Sequence, residues 1–143
     1  MAIMAIDLWC GHFLTRAAFD EYLEESYLES ENGEPDPPIS QLAADQGQSF
    51  YDHDFLGAEF LGFDTEDVEL ILLNCAYSKS YAEDVRNVFK SWTGRHPMNM
   101  LIAFIDYDNC GFHAPRSVSG DGYWLHYFGK FSCDSQAGSV DAP

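Results

Sequence analysis

Asp52-His53-Asp54 is the densest group of metal-capable side chains in the sequence. Neighbours in an extended segment point to alternate faces, so only Asp52 and Asp54 could converge on one ion. Residues 106–111 open like a calcium loop with Asp106 and Asp108. Cys110, however, stands at the fifth position, where Asp or Asn is needed, and Ser117 at the twelfth, where Glu is needed. A strand-ending turn is the better reading. His12, His53, His96, His113 and His126 never fall into H-x-x-x-H or H-E-x-x-H spacing, and none neighbours a cysteine as a nucleophile would require. Gly120-Asp121-Gly122 reads as a hairpin turn and not as a phosphate cradle. Asp52 with Glu59 could serve as acid and base, but among 24 Asp and Glu any chosen pair is unselective. No catalytic residue, metal or cofactor is expected.

Charge is more diagnostic than any motif. The chain has 143 residues, 46% hydrophobic and 15% aromatic, with 7 Lys and Arg against 24 Asp and Glu, a formal charge of −17. That supports one domain with a real core and a surface that repels nucleic acid, acidic lipid and phosphorylated substrates. Sixteen of the acids lie between Arg16 and Lys79, with no Lys or Arg among them. Self-repulsion on that scale costs stability, which favours a use such as steered docking to a cationic protein over solubility alone. A nuclease is such a protein, because it must present Lys and Arg to phosphodiesters. No apolar run approaches the roughly 18 residues of a membrane span, and the start, Met1 to Asp7, lacks the basic region of a secretory signal. A soluble, cytoplasmic chain with no membrane or direct nucleic-acid contact is expected. Cys10, Cys75, Cys110 and Cys133 are scattered and read as reduced core thiols.

The elements that position these residues follow from spacing. Residues 3–9 read as a strand turning at Gly11. Thr15 caps a helix with Phe19, Tyr22, Leu23 and Tyr27 as its buried stripe and Asp20, Glu21, Glu24 and Glu25 opposite, without a base at i+3 or i+4. Leu28 falls among the acids, so either the helix has ended or Leu28 is exposed as an interface residue would be. Residues 30–38, with Asn32-Gly33, Pro35 and Pro37-Pro38, form a loop, and a short helical segment follows. Over residues 50–63 aromatics (Phe50, Tyr51, Phe55, Phe60, Phe63) alternate with Asp52, Asp54 and Glu59, an irregular or extended segment. Thr65-Glu66-Asp67 offers a cap for Val68, Ile71, Leu72 and Cys75, as a helix or a buried strand. Ser80 with Glu83 is a capping box opening a helix through Trp92, closed by Gly94. Strands follow at 98–107 and 123–131, the second bent or bulged at Gly129. The order predicts an α+β domain over residues 1–134, an antiparallel sheet with helices packed on one face, and a polar, frayed tail at 135–143.

Leu8-Trp9-Cys10-Gly11-His12-Phe13, then Phe19-Asp20-Glu21-Tyr22-Leu23, then Tyr51-Asp52-x-Asp54-Phe55 followed by Glu59, together resemble the immunity protein 22 family between about Leu8 and Trp92. The insertion at residues 29–36 and the cysteines at 110 and 133 depart from that pattern. The resemblance implies a small cytosolic bacterial protein that neutralises the C-terminal toxin domain of a polymorphic or contact-dependent system, with a basic nuclease as the target. The expected toxin-binding residues are Asp20, Glu21, Glu24, Glu25, Leu28, Tyr51, Asp52, Asp54 and Glu59. Two other classes remain at this point: a nucleic-acid mimic blocking a DNA-binding protein, and a small metal-dependent hydrolase using Asp52, His53 and Asp54.

Overall fold

The first strand is apolar on both parities: Ile6, Leu8 and Cys10 alternate with Trp9 and Phe13, and all are buried. Such a strand needs cover on both faces. In the computed structural model, which describes residues 3–28, 30–31, 33–73, 75–92, 97–106 and 111–140, β1 (Ile3–Phe13) is the middle strand of a five-stranded antiparallel sheet. The strands beside it are β3 (Met98–Asp106) and β5 (Tyr123–Asp134); the edges are β2 (Leu56–Thr65), next to β3, and β4 (Val118–Gly120), next to β5.

Among the described residues there are four α-helices: α1 (Arg16–Leu23), α2 (Gln41–Asp45), α3 (Val68–Leu72) and α4 (Ala82–Ser91). On one face of the sheet Trp9, Phe13, Met100, Ile102 and Phe104 pack with Phe19 and Tyr22 of α1 and Leu42 and Ala43 of α2. On the other, Ile6, Leu8, Cys10, Leu101 and Ala103 pack with Ile71 and Leu72 of α3 and Val85 and Phe89 of α4. The α+β class and the antiparallel sheet are as expected. The helices, which the sequence reading put on one face, divide between the two, because β1 and β3 carry apolar side chains on both parities and leave no face that water could cover.

Local chemistry explains most boundaries. Thr15 Oγ accepts the Ala18 amide at 3.0 Å, the expected cap. The helix stops at Leu23, and Glu24 is extended (ψ 127°), so Tyr27 is not part of a buried stripe and is 58% exposed. At α3 the capping oxygen belongs to Asp67, which accepts the Glu69 amide at 3.0 Å, while Thr65 accepts the Asp67 amide. The Ser80 capping box is not formed: the Ser80 hydroxyl donates to the Tyr77 carbonyl and accepts the Asp134 amide, and α4 begins at Ala82 with Glu83 and Asp84 in its positive first turn. Gly94, its expected terminator, lies outside the described residues.

Two glycines in the sheet have different uses. The β1–β5 register shifts between Leu8 and Trp9, opposite Gly129, whose φ of 130° suits only glycine. This is the expected bulge. Gly11, expected to turn the chain, is instead mid-strand and paired with Leu125. A Cβ there would fall 2.0 Å from the Trp124 carbonyl oxygen, so glycine permits the close approach of β5.

Three buried polar side chains are fully occupied. Asp7, with none of its surface exposed, accepts from the Tyr127 hydroxyl at 2.5 Å and pairs with Lys130 at 3.1 Å; Lys130 also reaches Asp106 at 2.7 Å. The Asn99 amide accepts the Phe13 N–H and donates to its carbonyl, finishing β1 where the β3 ladder stops. Gln46 does the same for Arg116 and ties the 111–117 segment to α2. Cys10, Cys75 and Cys133 are free, buried thiols, while Cys110 lies outside the described residues. Residues 135–140 are not frayed: Lys79 donates to the Gly138 carbonyl, Ser139 to that of Cys75, and the Val140 amide to Ser78 Oγ. Residues 141–143 lie outside the description.

Beyond α4 the His126 ring stacks on Trp92 at 4.4 Å and 10°. Burial holds its pKa below the ordinary 6.5, so the folded chain binds this proton less readily than the unfolded one. The contribution is complete above the unfolded value and is lost as pH falls from there through the folded value. Urea melts at about pH 7.5 and about pH 5.5 should show a fall in stability that is smaller in His126→Gln than in wild type. An equal fall in both would remove His126 from the pH response.

Candidate functional site

The chain leaving α1 is held in place by backbone bonds, from Ser26 N to the Ile39 carbonyl at 2.7 Å and from Ile39 N to that of Ser49 at 2.9 Å. This draws residues 24–28 beside the entry to β2, where a single 3-10 turn, His53–Phe55, precedes the strand. Glu25, Asp52 and Asp54 therefore come together although the first two are far apart in sequence. His53 is the hub: its Nδ1 is 3.3 Å from Glu25 Oε1 and 3.3 Å from the Tyr27 hydroxyl, and its Nε2 is 3.3 Å from Asp54 Oδ1. The Tyr27 hydroxyl donates to Glu25. Asp52 Oδ1 accepts the Asp54 amide at 3.0 Å, capping the turn.

Beside this group is an apolar patch. Tyr27, Leu28 and Phe50 are 58%, 66% and 58% exposed. They line a cleft of about 240 Å³ together with Asp36 and Pro37. Leu28 was expected to be either past the helix end or exposed, and it is both. Tyr27 and Phe50 were not foreseen as surface residues. Tyr27 fits the i+8 position of a continued helix, and only the break at Glu24 takes it out of the core.

The remaining expected residues are distributed more widely. Tyr51 is buried, its hydroxyl 3.1 Å from Ser40 Oγ, so it anchors Asp52 from below and presents no surface to a partner. Burial, with the Glu25 carboxylate adding to it, pushes its phenol up to about 12. Asp20 and Glu21 are exposed on α1, and Asp20 pairs with Arg16 at 3.7 Å, a base at i−4 that the sequence reading overlooked. Both ends of that pair are mostly solvated and it contributes little. Glu24 is exposed, whereas Glu25 is half-buried. Glu59 pairs with Leu101 and so lies at the sheet edge toward the α3–α4 face, away from α1.

Below α1, Asp45 accepts hydroxyls from Tyr22 at 2.9 Å and Tyr123 at 2.5 Å. Burial first, and this carboxylate second, drive both phenols far above their ordinary range, so they stay neutral donors. Two of the cations are engaged as well: Arg86 holds Glu69 through two bonds of 2.5 and 3.0 Å, and Lys130 is taken by Asp7 and Asp106. Among the described residues no three His, Cys, Asp or Glu side chains gather as metal ligands. The 106–111 turn falls partly outside the description; within it, Asp106 is occupied by Lys130 and by the Gly111 amide.

The arrangement is a surface of carboxylates around solvent-facing aromatic and aliphatic side chains, beside the edge strand β2. A family model described as Immunity protein 22 matches residues 6–134. The chain belongs to that family. Membership makes it an immunity protein, one of a family of toxin-neutralising proteins. The match extends well past Trp92, where the resemblance read from sequence faded, and takes in β3 and β5. No curated protein and no solved structure matches the chain. Among the described residues of this immunity protein, no helix is long and apolar enough to cross a membrane.

Proposed function

We propose that this immunity protein neutralises a cationic nuclease toxin domain, delivered by a polymorphic or contact-dependent system into the cytoplasm, by docking the acidic surface around Glu24, Glu25, Asp52 and Asp54. The observation that carries the reading is the meeting of Glu25, Asp52 and Asp54 around His53 beside the exposed Tyr27, Leu28 and Phe50. Carboxylates steer a basic partner and raise the encounter rate. Affinity needs desolvated anchors, and exposed aromatic and aliphatic side chains within a charged rim supply them. Asp20 and Glu21 extend the negative surface along α1, Glu59 extends it along β2, and Tyr51 supports it from beneath.

The test is co-expression with the C-terminal domain of any large exported protein that a neighbouring gene encodes. The expected result is restored growth, a stable complex of the purified pair, and loss of nucleic-acid cleavage by the toxin domain. A neighbouring toxin that cleaves no nucleic acid, or a nuclease domain that the chain fails to bind, would overturn the proposal.

A further inference from the structure

Among the described residues strand β2 is paired on one side only, with β3. Its exposure does not alternate: residues 57–59 are all exposed, and so are residues 62–64. A strand with one covered face alternates, so here neither face is closed off. Among the described residues the Leu56 amide turns back to the His53 carbonyl at the start of the strand, and β2 makes no other backbone hydrogen bond outside its ladder to β3. The strand is 10 residues long, and residues 56–60 run in unbroken register with β3 before the register shifts ahead of Thr65; the opposite edge strand β4 has 3 residues, and the regular stretch at 56–60 is a template for a further strand.

A second observation concerns what lies next to that edge. On the face that α3 and α4 cover, a cleft of about 200 Å³ opens between β2 and the core, lined by Ile6, Gly57, Glu59, Cys75, Leu101 and Ala103. Its floor is apolar. Gly57 leaves the cleft unfilled without need, since a Cβ there would meet nothing closer than the Ala103 carbonyl oxygen at 3.9 Å. Glycine is a poor strand former, so its presence in an unconstrained strand position costs stability that an open cleft would repay.

We infer that β2 takes up a strand of the toxin domain by edge-to-edge pairing, with one apolar side chain of that strand seated over Gly57 and flanking Lys or Arg side chains facing Glu59 and Asp54. This rests on the toxin-neutralising reading and adds the mode of binding. Charge selects the occupant. A second copy pairing β2 with β2 would bring like carboxylates together between two chains of charge −17, which opposes the contact. A basic strand meets no such barrier.

The experiment uses the full chain and the purified C-terminal toxin domain of such a neighbouring exported protein. Amide exchange at those N–H groups of residues 56–60 that do not already bond β3 is expected to slow by at least about tenfold on complex formation. Gly57→Leu, which fills the cleft from inside, is expected to keep the melting temperature and to weaken binding by at least about tenfold, the order expected for excluding one aliphatic side chain. Should that variant melt lower than wild type, the exchange result decides alone. A wild-type complex that leaves exchange at 56–60 unchanged, or a stably folded Gly57→Leu that binds like wild type, overturns strand addition and leaves the neutralising role standing. No binding by the wild-type chain removes both. Protection of the same amides in the chain alone, rising with its concentration, would assign the edge to a second copy and overturn the inference.

Discussion

Gly11→Ala is expected to cost at least about 4 kcal/mol, which places one added methyl among the most damaging changes available to this chain. The new Cβ would lie 2.0 Å from the Trp124 carbonyl oxygen and 3.0 Å from the Leu125 Cα, both backbone atoms of β5. No flexible side chain can give way. Relief would need β1 and β5 to separate, and β1 is held on its other side by β3. The contacts at risk include Trp9 and Phe13 on one face and Cys10 on the other, so both cores loosen together. Urea titration with two probes checks this. A cooperative transition within about 0.5 kcal/mol of wild type would show that the strands do not approach this closely.

Reversing Glu24 and Asp54 together to lysine should slow association with the toxin domain by about 10- to 100-fold while leaving the melting temperature nearly unchanged, since both side chains are exposed and neither is buried in a network. Salt should do the same to wild type. Going from about 0.1 M to about 1 M shortens the screening length from about 10 Å to about 3 Å, and the association rate should fall with it. The control is Glu83→Lys with Asp84→Lys on α4, which makes the same change in net charge on the other side of the sheet. If the control slows binding as much as the test pair, total charge and not this surface steers the partner. If neither pair nor salt has an effect, the electrostatic part of the proposal is lost.

Strand and turn chemistry was readable where it was local. The apolar run at 98–106, the strand opening at Tyr123, the bulge at Gly129, the Thr15 cap and the short helix after the proline loop all follow from neighbours a few residues apart. The two-sided core is also present in the sequence, in the apolar residues on both parities of β1 and β3, which call for helices on both faces of the sheet. The errors have one origin. The Gly11 turn, the continued first helix, the Ser80 box and the frayed tail each took a local motif as final, and each was overridden by a distant partner: Trp124, Ile39, Asp134 and Cys75 respectively.

From sequence alone come the excess of carboxylates, the stretch between Arg16 and Lys79 without a base, the α+β class, and the residue pattern that resembles the family. These depend on composition and on spacing within single elements, which a linear chain already contains. Tertiary structure alone decides that Glu25 joins Asp52 and Asp54 at His53, that Tyr27 and Phe50 face solvent while Tyr51 does not, that Asp7 meets Lys130 inside the sheet, and that β2 is left at an open edge. Each of those is a meeting of segments far apart in sequence. Which segments meet is set by strand order and register, and those are chosen by burying both faces of the sheet at once.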